Sequence, residues 1–435
     1  MRRLAALGLL VAGLSVHGIP RAEAQLPTPD TLRLDDLQTA AERHDPRLRE
    51  LAIRESQAAL HLRNIAAERL PTIAGSGQAQ YQSVVTEFPG SLGRPGQALL
   101  HDTYDANVQV TQTVLDPSRS ARTAVERAQL ARNRADVQTA LYTNREQVNE
   151  SFFSVAALTA RHEAVLATIA DLQAQIDVVA ARVRNGAALP SELAALRAEV
   201  LRRRQDDEQL LADRDAAIRV LSDLTGVALQ ADAPLVLPAL ERRVAATRAS
   251  DTVRARPEFE RFARTREVLA RQAEVLDAQR KPRFSAFLRG GTGRPGLNFL
   301  STTFEPYWIG GLQLQWNPLD WGRAAHDRES LVLERDAVNA EAQAFADALR
   351  RATTRDLATI DRLERVLAAD DEIVVLREQI VRETMARFRE STITAAELVD
   401  RETDLLAARI ARGLHHVELA QARASYLTTL GLQVN

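Results

Sequence analysis

The side chains best suited to chemistry are few and dispersed. The 435 residues include eight His and no Cys, which removes thiolate metal sites, disulfides and a cysteine nucleophile. His415 and His416 are adjacent, so on a helix they point about 100° apart and make a poor bidentate metal site. No glycine-rich phosphate cradle occurs, so no nucleotide-driven step belongs to this chain. Arg202-Arg203-Arg204 followed by Asp206-Asp207-Glu208 reads as a solvated helix face. One acidic pair has useful spacing: Glu397 and Asp400 stand three residues apart, on one face of a helix. They are either two solvated surface acids or part of an electronegative patch that attracts cations. No catalytic constellation, cofactor site or metal site emerges, and the expectation is a protein that is not an enzyme. The net charge of −2 provides no basic field for nucleic acid.

The elements that carry these residues begin after an export signal. Arg2 and Arg3 precede an apolar run from Leu4 to about Val16, and Ala22-Glu23-Ala24 offers a small-x-small cleavage pattern. Residues 1–24 are therefore expected to be a signal peptide. No later stretch reads as the ~18 or more apolar residues of a membrane helix. A mature chain of this kind is either periplasmic or inserted as a β-barrel, whose strands give a weaker signal.

Ser118 to Asn185 and Ala324 to Arg412 contain neither Gly nor Pro and are rich in Ala, Leu, Arg, Glu and Gln. Helices of that length reach roughly 100 Å. The expected boundaries are a long helix at 117–184, a turn, and a helix at 191–225, then a second long helix at 323–389 and a helix at 395–430. Their apolar seams are narrow and Ala-rich, suiting closely packed helices with two neighbours.

Two regions between the helices change period. At about 71–115 and 282–319 the pattern alternates, with Ile73, Gly75, Gly77, Ala79 and Tyr81 on one side and Thr72, Ala74, Ser76, Gln78 and Gln80 on the other. Tyr104, Ala106, Val108 and Val110 repeat the pattern, as do Phe284, Ala286, Leu288 and Gly290, then Trp308, Gly310, Leu312, Leu314 and Trp316. Most aromatics, including all three Trp, lie in or beside these regions. The reading is two β-hairpins with loops near Thr86–Leu100 and Thr292–Ser301, apolar on one face and polar on the other, as in a transmembrane barrel.

The halves repeat. Residues 181–226 align with 386–431 at a constant offset of 205: Ala181-Arg182-Val183-Arg184 matches Ala386-Arg387-Phe388-Arg389, Glu192-Leu193 matches Glu397-Leu398, Leu201 matches Leu406, and Gly226 matches Gly431. Val114-Leu115-Asp116 with Arg119 likewise matches Pro318-Leu319-Asp320 with Arg323, and Asp45-Pro46 resembles Arg256-Pro257. The expected organisation is a first repeat at 25–226, a linker at 227–246 and a second repeat at 247–435. Four strands are too few for a barrel, so several chains must contribute.

This pattern resembles the TolC-like outer-membrane efflux family over essentially the whole mature chain. The residues that carry the likeness are Leu34-Asp35-Asp36-Leu37, Asp45-Pro46, the two strand-to-helix junctions and the two helical turns. The resemblance implies a mainly α fold with a β-barrel part: a homotrimer with a twelve-stranded barrel in outer-membrane lipid and a long α-helical barrel across the periplasm. It implies an exit duct that passively conducts small molecules, served by a periplasmic adaptor and an inner-membrane pump of RND or ABC type. Type I protein secretion is the alternative cargo, and a periplasmic coiled-coil adaptor is the alternative class. A periplasmic enzyme on a helical scaffold is weaker still, for lack of a site. No His- or Met-rich tract argues for metal cargo.

The family's turns form the periplasmic tip, where the duct narrows and the adaptor docks. The docking residues implied here are Arg182, Gly186 and Leu189 in the first turn and Arg387, Ser391 and Thr394 in the second. Glu397 and Asp400 occupy the positions of acids that line the closed entrance, and threefold symmetry would make them a cation-attracting ring. The family's Tyr and Arg latch is replaced by Phe388 and Ile393, so the resemblance implies an apolar resting contact there. Glu192 matches an acidic latch partner that here lacks its mate.

Overall fold

A computed structural model describes residues 31–85, 99–248 and 256–434; the expected signal peptide and most of the first hairpin loop lie outside these residues. The chain opens with β1 (Leu32–Arg33), α1 (Leu34–His44) and α2 (Pro46–Ala67), then β2 (Thr72–Tyr81) and β3 (Asp102–Leu115). The first helical hairpin is α3 (Ser118–Arg184) and α4 (Pro190–Thr225). Then come β4 (Leu235–Val236), α5 (Glu241–Thr247), α6 (Pro257–Gln279), β5 (Arg283–Arg294) and β6 (Glu305–Gln315). A second hairpin of α7 (Arg323–Arg389) and α8 (Ala395–Thr429) closes the chain.

The long helices α3 and α7 have 67 residues each and hence a length of roughly 100 Å. Each is launched by an aspartate that follows a strand. Asp116 Oδ1 accepts from the Ser118 amide at 3.0 Å, and Asp320 Oδ2 accepts from the Ala324 amide at 3.2 Å. Both satisfy amides that the first helical turn leaves without partners. Each hairpin ends at a glycine with positive φ, Gly226 and Gly431.

The four long strands form one antiparallel sheet in the order β2-β3-β5-β6. On one face Ile73, Val108, Leu288, Trp308 and Leu312 stand exposed. On the other, Ser76, Asn107, Asp105 and Tyr307 form a hydrogen-bonded row, and Arg289 donates to Gln109 Oε1 at 2.9 and 2.6 Å. β5 continues to Arg294 and takes in the start of the expected 292–301 loop. The reason is packing: Gly293 pairs with Asp105, and a Cβ there would stand 3.2 Å from the Tyr104 carbonyl oxygen, so this glycine permits close strand approach rather than marking a loop.

In the lower wall α3 packs on α4 and α8, and α8 on α7, leaving α4 and α7 at the two edges. At mid-height a dense core joins α1, α3, α4, α7 and α8 through Leu34, Leu37, Phe152, Phe153, Leu221, Ile360 and Tyr426. The stretch read as linker contributes here: β4 pairs in parallel with β1, and Leu240 and Val244 enter the core.

Two readings of polarity are corrected. Against the reading that no later stretch qualifies, part of α3 is long and apolar enough for a membrane helix by length and composition. Its helix instead buries Phe152, Phe153 and Val155 within the protein. Arg203, assigned to a solvated face, is buried: its Nε lies 2.8 Å from Glu199 and its Nη2 donates to Thr403 Oγ1 at 3.1 Å. The pairing with Glu199 one turn away offsets the cost of burying the charge.

Candidate functional site at the helical tips

The α3–α4 and α7–α8 turns lie side by side and are built alike. Gly186 N donates to Val183 O, and Ser391 N to Phe388 O, both at 3.0 Å. Ala187 N donates to Arg182 O at 2.8 Å, and Thr392 N to Arg387 O at 3.0 Å. This helix ending needs a left-handed residue, and Gly186 adopts φ 70° without cost. Ser391 adopts φ 60° although it carries a Cβ, a strain of roughly 1–2 kcal/mol.

The serine hydroxyl has a use. Arg182 crosses from the first turn to the second, donating to Phe388 O at 3.1 Å, to the Ser391 hydroxyl, and to its own Ala187 O at 3.2 Å. Its guanidinium also stands 5.9 Å from the centre of the Phe388 ring. The matching Arg387 is exposed, and its side chain has no hydrogen-bond or ionic partner among the described residues. Sequence reasoning put both arginines at the docking surface without distinguishing them; the Gly-to-Ser difference at 186 and 391 was the available signal.

Beneath the turns lies a small apolar cluster. Leu172, Ile176 and Val179 of α3 meet Leu196 and Val200 of α4, with Phe388 and Leu398 from the second hairpin; Ile393 and Leu193 pack at its margin. Phe388 and Ile393 are thus brought together inside one chain. The acids are not. Glu192 Oε2 lies 3.4 Å from the Leu189 amide it caps, and Leu189 itself is exposed. Thr394 caps α8 by accepting from the Glu397 amide at 3.4 Å. Glu397 is half-buried and Asp400 exposed, and neither carboxylate has an ion-pair partner among the described residues.

One acid escaped the sequence reading. Glu402, only 2% exposed, sits in α8 between Leu398 and Leu406, and neither carboxylate oxygen finds a hydrogen-bond donor. Burial, reinforced by Asp171 and only partly countered by Arg409, pushes it up to about 7. Arg409 is already held by Asp171 at 3.0 Å and Glu378 at 3.2 Å. An acid spaced four residues from a leucine on either side was the sequence signal. His415, by contrast, pairs with Asp370 at 2.6 Å across the second hairpin. Among the described residues no group of three His, Cys, Asp or Glu could hold a metal ion.

No protein-family profile matches the sequence, and no curated protein matches it. The fold does match solved structures. The outer membrane protein VceC of Vibrio cholerae aligns with a TM-score of 0.67 at 16% identity, covering 92% of this chain and 97% of that one. The Campylobacter jejuni CmeC outer membrane channel aligns at 0.67 and 13% identity, covering 98% and 94%. The open state of the Neisseria gonorrhoeae MtrE outer membrane channel aligns at 0.65 and 15% identity, covering 93% and 90%.

Proposed function

We propose that this chain, which has the TolC-like outer-membrane channel fold, is the outer-membrane exit duct of a tripartite efflux system. The observation that carries the reading is the four-stranded sheet, whose outer strands β2 and β6 are each unpaired along one edge. Its exposed apolar face and hydrogen-bonded polar face suit a wall with lipid outside and water inside. A bilayer tolerates no unpaired strand edge, and four strands cannot close on themselves. Three copies, giving twelve strands, close the ring, with β6 of each against β2 of the next. The helical hairpins then extend the duct by roughly 100 Å into the periplasm.

The duct conducts small molecules passively, handed over by an inner-membrane pump through a periplasmic adaptor. The adaptor docks at the tips, on Arg182, Gly186 and Leu189 of the first turn and Arg387, Ser391 and Thr394 of the second. Glu397 and Asp400 of each copy face the entrance and raise the local cation concentration. Phe388 and Ile393 hold the resting tip by apolar contact, a reading supported by their shared cluster. Purified protein reconstituted in planar bilayers tests the proposal: discrete ohmic currents that favour cations are expected. A bilayer left electrically silent by protein recovered only from the soluble periplasm would overturn it and favour a periplasmic coiled-coil protein.

A further inference from the structure

Strand β5 carries three arginines, Arg283, Arg289 and Arg294. The two at its ends face acids: Arg283 stands 3.9 Å from Asp116, and Arg294 pairs with Asp102. The middle one has a neutral partner. Arg289 Nε and Nη2 both donate to Gln109 Oε1, at 2.9 and 2.6 Å, and Gln109 lies directly across the strand pair. The acids on the same face of the described strands, Asp105 and Glu305, both stand at the level of Gly293, about 13 Å further along. Asp105 is already engaged by Tyr307 and Asn107. A charge at membrane depth is costly unless it is paired or faces water, and one kept without a counter-charge marks the path of an ion or substrate. The lumen position of Arg289 rests on the closed-ring reading above, in which the polar face of the sheet turns inward.

Gln109 holds the Nε–Nη2 edge of the guanidinium and leaves the Nη1–Nη2 edge without a partner among the described residues. That free edge is a planar fork whose two N–H groups match the two oxygens of a carboxylate. The wall beside it is apolar. Ile309 is the register partner of Arg289 on β6, and Phe287 precedes Arg289 on the same face. Both are half-buried although they belong to the polar face. A Cβ on Gly311 would stand 3.0 Å from two atoms of the Phe287 ring, so glycine lets that ring lie against β6. One uncompensated guanidinium between two apolar side chains fits a ligand of matching polarity. Such a ligand is a small organic anion with a carboxylate at one end and an apolar ring at the other.

We infer that Arg289, held by Gln109 and flanked by Phe287 and Ile309, forms a lumenal subsite for small amphiphilic carboxylates, and that such anions are among the duct's cargo. Each copy in the ring offers its own site. Glu397 and Asp400 act on ions that drift to the entrance, whereas a cargo delivered by a pump is driven past them. In the membrane section the low-dielectric surroundings raise the cost of an unpaired anion, and Arg289 offsets it.

Protein reconstituted in planar bilayers is challenged with naphthoate, with naphthamide (the same rings without the charge) and with acetate (the charge without the rings). Naphthoate should interrupt the wild-type current, and the other two should not. Arg289→Gln should weaken the naphthoate block about tenfold or more, as the loss of charge-assisted hydrogen bonds requires. Arg289→Lys should restore the block in part. A current that naphthoate leaves untouched, or that naphthamide or acetate blocks equally, would overturn the subsite while leaving the duct in place. So would a naphthoate block unchanged by Arg289→Gln. The comparison of probes on the wild type decides the point even where Arg289→Gln fails to assemble. A bilayer that stays silent overturns the duct and the subsite together.

Discussion

The mid-height belt and the tips draw on the same four helices, yet their interiors differ. In the belt, Phe152, Phe153, Leu221, Ile360 and Tyr426 fill a continuous core with α1 and α5 packed over it. At the tips a thin cluster is supplemented by one clasping arginine, a strained serine and, just above, a buried acid with no donor. The belt is built to hold the hairpins together. The tips are held by a few polar contacts and a thin apolar cluster, the weaker of the two regions, which is what the proposed duct would require at its entrance.

The sharpest way to break the comparison is to remove mass from the belt. Phe152→Ala should cost about 3–5 kcal/mol and abolish assembled protein, read by light scattering of the detergent-extracted protein. A belt that tolerated the change would not be the anchor described here. The next effect is a slope with pH. Glu402 has its folded value raised from 4.5 to about 7. Its neutral form is favoured in the fold, so the stability it permits is full below about pH 4.5 and is lost as pH rises through 7. Wild-type melting temperature should therefore fall between pH 5 and 8 relative to Glu402→Gln; parallel profiles would remove Glu402 from the account.

Arg182→Ala removes the bridge to Phe388 O, Ser391 and Ala187, worth about 1–3 kcal/mol. It should raise conductance in planar bilayers while leaving the melting transition of the belt nearly unchanged. Equal conductance would show that the clasp does not hold the tip. The smallest effect is at Ser391. Ser391→Gly loses a hydrogen bond worth about 1 kcal/mol but relieves a comparable backbone strain, whereas Ser391→Ala only loses the bond. Chemical denaturation should find the glycine variant more stable than the alanine variant; the reverse order would refute the strained-cap reading.

Much of the architecture was legible because breaker-free runs and period-two alternation are local signals. The junction aspartates Asp116 and Asp320 were visible as a repeated motif because capping is also local. Gly293 misled at the end of β5, since glycine for a loop and glycine for close strand approach look the same in a sequence. Arg203 misled because a charge run does not reveal that Glu199, one turn back, shares its burial. At the tips the turns were visible, and the one local sign separating Arg182 from Arg387, the change from Gly186 to Ser391, gains its meaning only from which helix lies beside each arginine. Glu402 required knowledge of which face of α8 meets α3.

The most direct test of the central claim is to separate inner from outer membranes, extract the protein in detergent and image the particles by electron microscopy. The account predicts hollow cylinders of threefold symmetry from the outer-membrane fraction, with a tapered periplasmic end. Soluble rods, or membrane particles without threefold symmetry, would contradict it.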